Sequence, residues 1–307
     1  MQRLTDLELF VRIADHGSVS AAARALELTP AAASAALKRL ERELDTVLFV
    51  RSTRTLRLTT EGEIFLDHCR QALALLADGR DALITGRSVI RGLLQISAPS
   101  DLGRNVLAGW LDEFLERYPQ VQIRLSLSDR VADVYRQPID IALRYGPPAD
   151  SSLIALPLAA DNRRILCAAP DYLARYGTPQ KPADLARHNC LCYWLGEDIH
   201  DRWRLTRDGH EDVQRVTGNR VADDGEMVSR WARAGRGIAF KSALDVADDL
   251  LSGRLIHLLP DWQGDPAPLN LVCADRRQLN PAVRALHQWL AERCASRLDA
   301  LRNAGFI

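Results

Sequence analysis

The spacing of apolar residues predicts two short helices at the start of the chain. The first follows a capping box formed by Thr5 and Glu8 and stops at Gly17. The second is rich in alanine and has Ser18 or Ser20 as its N-cap. Its small side chains allow another helix to approach closely.

A third helix is predicted after the N-cap Thr29, with Pro30 in the first helical position, where its missing N–H costs nothing. Its inward apolar stripe consists of Ala33, Leu37, Leu40 and Leu44. Its opposite face carries Ser34, Lys38 and Arg42. Two short helices joined by a tight turn, with small and basic residues in the first half of the second, fit a DNA major groove. An ordinary alanine-rich three-helix bundle is the alternative.

The alternation of apolar and polar residues over 48–58 predicts a short two-stranded hairpin, or wing. Arg51 and Arg54 near its tip are placed to contact phosphates or a narrow minor groove. Residues 38–60 contain six cationic and three anionic side chains, so this part is locally basic although the whole chain has a net charge of zero. A solvated helix face would also explain such a charge run.

Residues 60–85 form one long predicted helix, opened by a capping box of Thr60 and Glu63 and roughly 40 Å in length. Its apolar positions alternate spacings of four and three, as in a coiled-coil seam. The seam consists of Phe65, Cys69, Ala72, Leu76, Gly79 and Leu83. Such a seam favours pairing with a partner helix, and packing on its own domain is the alternative.

Strands and helices alternate after a polar break at 87–92, which argues for parallel α/β layers. The predicted strands are 93–97, 121–128, 139–145, 163–168, 190–194 and 269–274. The predicted helices are 105–118, 171–176, 225–234, 243–251 and 281–301.

Composition and motifs exclude several classes of function. With 47% hydrophobic and 26% charged residues in 307, the chain is ordinary for a globular protein, and it has neither a signal-peptide pattern nor a membrane-length apolar run. We therefore expect a cytoplasmic protein, and the six scattered cysteines agree with a reducing compartment. No zinc-protease, phosphate-loop or esterase motif occurs, so no metal, cofactor or catalytic residue is predicted. Cys190 and Cys192 suggest a redox or metal site only weakly, because no other ligand accompanies them.

The N-terminal residues resemble, in order and spacing, the DNA-binding domain of LysR-type transcriptional regulators. The matching segments are Gly17-Ser18-Val19-Ser20-Ala21-Ala22-Ala23, Leu28-Thr29-Pro30 through Ser34, Leu40-Glu41, Leu48-Phe49, Arg51, Thr53-Arg54 and Leu58-Thr59-Thr60-Glu61-Gly62. One departure is Ala35, where many members carry arginine or glutamine. Base reading then falls more on Ser34, Lys38 and the wing.

The remaining chain resembles the effector domain of the same family, which is similar to two-lobed periplasmic solute-binding proteins. The matching segments include Ser97-Ala98-Pro99, residues 114–119, 126–129, 139–144, 171–173 and 235–239, and Gly253-Arg254-Leu255. The resemblance implies an α/β protein with a winged helix-turn-helix at 1–59, a linker and dimerisation helix at 60–87 and an effector domain at 88–307. Lobe I is expected at about 91–162 and 268–307, and lobe II at about 163–267.

Two sets of binding residues are expected. The DNA-contacting residues are Ser18, Ser20, Thr29, Pro30, Ala31, Ala32, Ser34, Ala35, Lys38, Arg39, Arg51, Thr53 and Arg54. Ligands in α/β folds sit beyond the carboxyl ends of strands, which selects the effector residues. These are Pro99, Ser100, Ser128 and Tyr145 on one lobe, and Tyr193, Trp194, Asp223 and Asp224 on the other.

Each effector residue also has a structural alternative. Tyr193 and Trp194 fit a hydrophobic core, and the two aspartates fit a helix cap. Ser100 begins a helix whose free N–H groups suit a carboxylate effector, whereas Asp101 argues against a highly anionic one. Lys241 is interpreted as an inter-lobe salt bridge rather than a cation exposed in the cleft.

The predicted function is a sequence-specific transcriptional regulator whose activity is modulated by a small molecule bound between the lobes. The resemblance implies a homodimer or homotetramer, an interrupted inverted repeat in double-stranded DNA, contact with RNA polymerase and a place at the nucleoid. A solute-binding module with a protein-binding helical head is a rival hypothesis, and an enzyme using the cleft is another. Binding to DNA that weakens steeply with salt favours the regulator.

Overall fold

The computed structural model describes residues 4–51, 56–85, 90–129, 139–147, 153–195, 198–275 and 278–307. The chain divides into two units, Met1–Val89 and Ile90–Ile307, and each has its own hydrophobic core. Within the described ranges, no helix combines the length and the apolar character needed to cross a membrane.

The N-terminal unit is a winged helix-turn-helix followed by a long helix. Its elements are α1 (Leu4–His16), α2 (Val19–Ala25), α3 (Pro30–Glu43), the antiparallel hairpin of β1 (Phe49–Arg51) and β2 (Leu56–Leu58), and α4 (Thr60–Thr85). Ser18 Oγ accepts a hydrogen bond from Ala21 N at 3.3 Å, and Thr29 Oγ1 accepts one from Ala32 N at 3.2 Å. These caps satisfy N–H groups that the first helical turn leaves unpaired, so α2 and α3 begin where their sequences predict.

Two predicted capping boxes are wrong. Helix α1 begins at Leu4, so Thr5 already lies inside its first turn. Helix α4 is capped by Thr59, whose Oγ1 accepts from Gly62 N at 2.9 Å, and not by Thr60. The same Thr59 hydroxyl donates to Val47 O at 2.8 Å, which ties the segment before the wing to the start of α4.

Small side chains let the helices of this unit pack closely around Phe10. Ala22 and Ala23 of α2 are fully buried, and the Phe10 ring meets Phe49 of the wing edge-on at 5.4 Å. The predicted stripe on α3 is buried at Ala33, Leu37 and Leu40 and half-buried at Leu44.

The first half of α4 belongs to this core, whereas later seam positions face outward. Cys69 is buried in the core, but Ala72 is exposed and Leu76 is 55% exposed. The side chains of Gly79 and Leu83 lie outside the described residues. Packing on its own domain therefore applies to the first half of the helix, and pairing of the later half with a partner helix stays a prediction.

Lobe I of the C-terminal unit is built on a five-stranded sheet. Its strands are β3 (Gly92–Ala98), β4 (Val121–Leu127), β5 (Ile141–Tyr145) and β6 (Ile154–Ala159), with β16 (Leu269–Cys273), in the order β4-β3-β5-β16-β6. A continuous helical run consists of α5 (Ser100–Leu102), a π-helical stretch (Gly103–Leu107) and α6 (Ala108–Arg117), and it begins earlier than the predicted residue 105. Helix α10 (Pro281–Asn303) completes the lobe.

Lobe II contains a sheet of order β12-β8-β13-β7-β14 and a smaller antiparallel sheet of order β11-β10-β15. The strands are β7 (Arg164–Ala168), β8 (Cys190–Leu195), β9 (Asp198–Ile199), β10 (Arg202–Arg207), β11 (His210–Arg215), β12 (Val221–Ala222), β13 (Ile238–Ser242), β14 (Ile256–His257) and β15 (Gln263–Gly264). The helices are α7 (Pro170–Tyr176), a 3-10 helix (Pro182–Arg187), α8 (Gly225–Arg233) and α9 (Ala243–Leu251).

Both large sheets are mixed rather than parallel, which corrects the prediction of parallel layers. In lobe I, β3 runs parallel to β4 and β5, while β16 is antiparallel to β5 and β6. In lobe II, β8 is parallel to β13, while β7 is antiparallel to it. Strands β7 and β16 enter directly from the other lobe without the crossover helix that a parallel connection needs.

Candidate functional site

The N-terminal half of α3 presents a small, uncharged surface followed by a cation. Pro30, Ala31, Ala32 and Ala35 are exposed, Ser34 is half-buried, and Lys38 is exposed one turn further on. Thr29 before α3 and Ser20 in α2 are exposed, and Ser18 is half-buried at its cap. This face has no side chain larger than proline before Lys38, so a neighbouring groove can approach its backbone.

Arg39 is the one predicted DNA contact that the described residues direct elsewhere. Its Nη2 donates to Asp6 Oδ1 at 2.6 Å and its Nε donates to Asp6 Oδ2 at 3.1 Å. This two-point ion pair raises the pKa of Arg39, first through the hydrogen bond and then through the charge of Asp6. Arg39 therefore joins α3 to α1, and we remove it from the DNA-contacting set.

The wing begins at a position fixed by α3. Glu41 Oε1 accepts hydrogen bonds from Leu48 N at 2.9 Å and Phe49 N at 3.3 Å. Arg51 ends β1, although its side chain lies outside the described residues, as do Thr53 and Arg54. Sequence reasoning noted Glu41 as part of a resemblance and as one of the three anions of residues 38–60, and missed this positioning role.

A cavity of about 360 Å³ lies between the two lobes of the C-terminal unit. Four of the eight predicted effector residues line it, namely Pro99, Ser128, Tyr145 and Tyr193. The rest of its wall includes Asp101, Asp129, Arg144, Leu153, Arg164, His200, Lys241, Asp245, Pro266 and Val272. The cavity lies at the sheet edge where β3, β5 and β8 end, in agreement with the general rule for α/β folds.

Ser100 is only 2% exposed and its N–H is already bonded, so the expectation of a free helix end is wrong. Asp129 Oδ1 accepts from Ser100 N at 2.9 Å, and Asp129 Oδ2 accepts from both Ser100 Oγ and Gly225 N, the latter at 2.6 Å. Gly225 begins α8 of lobe II. The carboxylate of Asp129 thus occupies the ends of two helices and joins the lobes.

Asp224 serves as a helix cap and not as part of the cavity wall. Its Oδ1 accepts from Met227 N at 3.0 Å and shares the Ser100 hydroxyl with Asp129 at 3.1 Å, and its Oδ2 accepts from Arg104 at 3.2 Å. Burial opposes ionisation, but these hydrogen bonds outweigh it and lower the pKa of Asp224.

The two remaining predicted effector residues also lie away from the cavity. Asp223 borders a shallow depression beside α8 together with Arg104 and Arg230. Trp194 is 39% exposed and is absent from the cavity wall. Strand alternation explains the split at the end of β8, because Tyr193 and its neighbour Trp194 point to opposite faces.

Lys241 forms the predicted inter-lobe salt bridge. It is 5% exposed, and its Nζ lies 2.6 Å from Asp101 Oδ2 of lobe I and 3.7 Å from Asp245 Oδ2 of lobe II. Burial lowers the pKa of Lys241, but the two carboxylates outweigh burial and leave it raised. Tyr145 Oη donates to Asp245 Oδ1 at 2.6 Å, which adds a second link between the lobes.

Sequence reasoning missed Arg164 and His200 on the lobe II wall of the cavity. Arg164 Nη2 donates to Tyr193 Oη at 2.6 Å, and the Tyr193 ring stacks on His200 with 4.3 Å between ring centres. Arg164 was not predicted because only residues at the carboxyl ends of strands were considered, and Arg164 is the first residue of β7. Strand β7 is antiparallel to β13, so its first residue lies beside the end of β13. A pair of arginines, Arg163 and Arg164, directly before an apolar strand was the available signal.

The cysteines give no support to a redox or metal role. Cys190 and Cys192 are buried, and burial raises the pKa of their thiols to about 12 and about 11 respectively. In the part of the chain that the structure describes, no group of three or more His, Cys, Asp or Glu side chains is arranged to hold a metal ion.

Known proteins match both units. A model of the LysR substrate binding domain matches residues 87–295, and a model of the bacterial regulatory helix-turn-helix protein of the lysR family matches residues 4–63. The probable HTH-type transcriptional regulator LtrA of Klebsiella pneumoniae is 35% identical over 296 residues, 94% of each chain. The HTH-type transcriptional regulator DmlR of Escherichia coli K12 is 33% identical over 293 residues, 94% of this chain and 95% of that one.

Solved structures agree. CrgA, a LysR-type transcriptional regulator from Neisseria meningitidis, has a TM-score of 0.61 and 30% identity, covering 94% of this chain and 98% of that one. The full-length virulence activator AphB of Vibrio cholerae has a TM-score of 0.56 and 27% identity, covering 95% and 99%.

A winged helix-turn-helix joined to a two-lobed α/β domain with a cavity between its lobes defines a ligand-responsive DNA-binding regulator. The chain belongs to the LysR family of transcriptional regulators. It is a DNA-binding transcriptional regulator with an effector-binding domain, and the relatives named above are transcriptional regulators rather than enzymes. This confirms the predicted family, fold class and general function.

Proposed function

We propose that the first half of α3 reads bases in the major groove while the wing contacts the DNA backbone. The exposed run of small residues ahead of Lys38 supports this role, because it lets the helix approach base edges with a cation beside the phosphates. Ser18, Ser20 and Thr29 lie at the amino ends of α2 and α3, which favour phosphate. The proposed wing contacts are Arg51, Thr53 and Arg54.

The same protein is proposed to read an interrupted inverted repeat as a dimer or tetramer. Exposed Ala72 and Leu76 on α4 favour self-association, since an apolar helix face gains stability by pairing. Two symmetry-related α3 helices then match two half-sites. We further propose that the protein acts at promoters in the cytoplasm, at the nucleoid, and that it contacts RNA polymerase there.

We also propose that the inter-lobe cavity binds the effector. Its size lies at the lower end of the range for small-molecule sites, and its wall combines apolar surface with convergent polar groups. Pro99, Ser128, Tyr145 and Tyr193 are retained as contacts. Ser100, Trp194, Asp223 and Asp224 are not, for the geometric reasons given above.

The DNA-binding proposal is tested by charge reversal at Lys38. Duplexes are first selected from a random pool with the full-length protein, and half-site spacing is read from a footprint. Lys38→Glu is then compared with Lys181→Glu, which changes an exposed lysine in lobe II. We expect Lys38→Glu to weaken binding at least tenfold and Lys181→Glu to leave it within twofold, with unchanged circular dichroism for both.

Salt dependence gives a second readout of the same contact. Loss of one phosphate contact reduces the slope of log affinity against log salt by about one. Equal affinities and equal salt slopes for the two lysine variants would remove Lys38 from the DNA surface. Protection of a single half-site, with no symmetric partner, would contradict the inverted repeat.

A further inference from the structure

The cavity wall holds a cation that lacks a carboxylate partner among the described residues. Arg164 is half-buried, and its guanidinium donates to Tyr193 Oη at 2.6 Å and to Phe240 O at 3.4 Å. Within the ranges that the structure describes, no carboxylate oxygen lies within 4.0 Å of a guanidinium nitrogen of Arg164. The hydrogen-bond acceptors of its guanidinium are neutral oxygens, and the carboxylates of Asp245 and Asp265 act on its charge only from beyond salt-bridge distance.

The other groups at this edge are engaged. Lys241 has Asp101 and Asp245, and Asp129 holds the N–H groups of Ser100 and Gly225. Arg144, on the lobe I wall, donates to Ser97 Oγ at 2.7 Å and to Leu143 O at 2.6 Å, has a further interaction besides these, and lies within the influence of the Asp129 charge.

The helix end that would otherwise attract an anion is closed by Asp129. An effector carboxylate at Ser100 would have to displace a carboxylate that accepts hydrogen bonds from both lobes. Displacement would leave the Asp129 carboxylate close to Asp101 without these hydrogen bonds, which is costly. An incoming anion therefore finds its partner at Arg164, on the opposite wall.

The surroundings of Arg164 indicate which kind of ligand the cavity accepts beyond its anionic group. The guanidinium carbon lies 5.4 Å from the centre of the Tyr193 ring, which is stacked on His200 and holds the arginine in place. Beyond these rings the wall is apolar, with Leu153, Pro266 and Val272. The three aspartates that line the same cavity, Asp101, Asp129 and Asp245, disfavour a second negative charge.

We infer that the effector is a small, largely apolar monocarboxylate whose carboxylate is bound by Arg164. This inference rests on the proposed effector role of the cavity and adds the ligand class and its anchoring residue. Tyr193 acts as a positioning residue, because its hydroxyl fixes the guanidinium and its ring gives the ligand a flat apolar neighbour. A planar guanidinium binds a carboxylate through two parallel hydrogen bonds, which an ammonium group cannot do.

The test measures binding of matched probes to the full-length protein by thermal shift and calorimetry. The probes are straight-chain carboxylates of two to eight carbons, benzoate and phenylacetate, the corresponding amides, and phthalate as a dicarboxylate. We expect at least one monocarboxylate to bind, with its amide and the dicarboxylate at least tenfold weaker.

Arg164→Gln should weaken the bound monocarboxylate at least tenfold, and Arg164→Lys should restore part of the loss. Arg163→Gln is the matched control, because this neighbouring arginine is exposed and outside the cavity wall. Wild-type affinity in Arg164→Gln, or equal affinity for carboxylate and amide, would overturn the inference.

Two outcomes separate this inference from the proposal that the cavity binds effectors. Binding of neutral or cationic compounds that Tyr145→Trp blocks, with no carboxylate bound, would overturn the monocarboxylate and leave the effector cavity standing. Carboxylate binding that survives both Arg164→Gln and Tyr145→Trp would overturn both, because the bound site would then lie elsewhere.

Discussion

Replacing Lys241 with methionine removes one charge from the buried cluster that joins the lobes. The Lys241 ammonium lies 2.6 Å from Asp101 and 3.7 Å from Asp245, and it also donates to Gly225 O at 2.9 Å. Methionine is similar in length and apolar, so it preserves packing while leaving two buried carboxylates facing each other. The perturbation therefore removes the charge and the hydrogen bond to Gly225 O while preserving the packing.

Removing one partner of a buried ion pair costs about 3–5 kcal/mol, because the remaining buried charge loses its nearest compensating charge. For a domain of this size, 1 kcal/mol corresponds to about 2–4 °C in Tm, so we expect Tm to fall by roughly 6–20 °C. Protonation of one carboxyl group relieves part of the penalty. The loss should therefore be larger at pH 8 than at pH 5.

Urea unfolding followed by tryptophan fluorescence measures this change in the intact chain. All six tryptophans lie between residues 110 and 289, so the signal reports the C-terminal unit alone. Arg302→Met is the control, since its pair with Asp299 is exposed and should contribute at most about 1 kcal/mol. Equal losses for the two variants, or a Lys241→Met loss below 1 kcal/mol at pH 8, would refute the reasoning.

Three further predictions concern single contacts. Burial, and then the charge of Asp101, raises the pKa of Asp245 from 3.8 to about 6 against the opposing effects of Lys241 and Tyr145. The native state therefore keeps a proton that the unfolded chain loses as pH rises, and the stability of wild type relative to Asp245→Asn should fall by up to about 3 kcal/mol from pH 4 to 7. Urea titrations of the two proteins measure this difference, and parallel curves of stability against pH would contradict it. Gly62→Ala places a Cβ 2.2 Å from a backbone carbonyl oxygen, so the N-terminal unit should lose about 1–3 kcal/mol in thermal circular dichroism, whereas Gly109→Ala, which meets no atom within 4 Å, should not destabilise. Asp129→Ala removes the acceptor of Gly225 N, so hydrogen exchange at that amide should accelerate at least tenfold, and unchanged protection would show that Asp129 does not hold the lobes.

Local chemistry explains which parts of the fold were predictable. Ser18 and Thr29 cap helices that begin one residue later, and each cap bonds an N–H three residues along the chain. Alternation likewise located the wing and six of the fourteen described strands of the C-terminal unit, since neighbouring residues decide such patterns. These elements follow from short stretches of sequence.

Contacts between distant residues were not predictable. Arg39 was assigned to DNA by its place on α3, but its partner Asp6 lies 33 residues earlier. Ser100 was expected to offer a free N–H, but Asp129, 29 residues further on, accepts from it and also accepts from Gly225 N, which lies 96 residues beyond Asp129. Charge complementarity at such separations becomes visible only once the topology is known.

The inter-lobe hydrogen bonds constrain how an effector acts. An effector shifts a conformational equilibrium only as far as its affinities for the two arrangements differ. Asp129 and Lys241 already join the lobes, so closure alone gives the effector little to add. A carboxylate on Arg164 of lobe II, with its apolar body against Tyr145 of lobe I, adds contacts that exist only when the lobes meet. The effector then distinguishes the two lobe arrangements through its contacts across the cavity. The buried cluster around Lys241 determines the lobe arrangement before the effector binds.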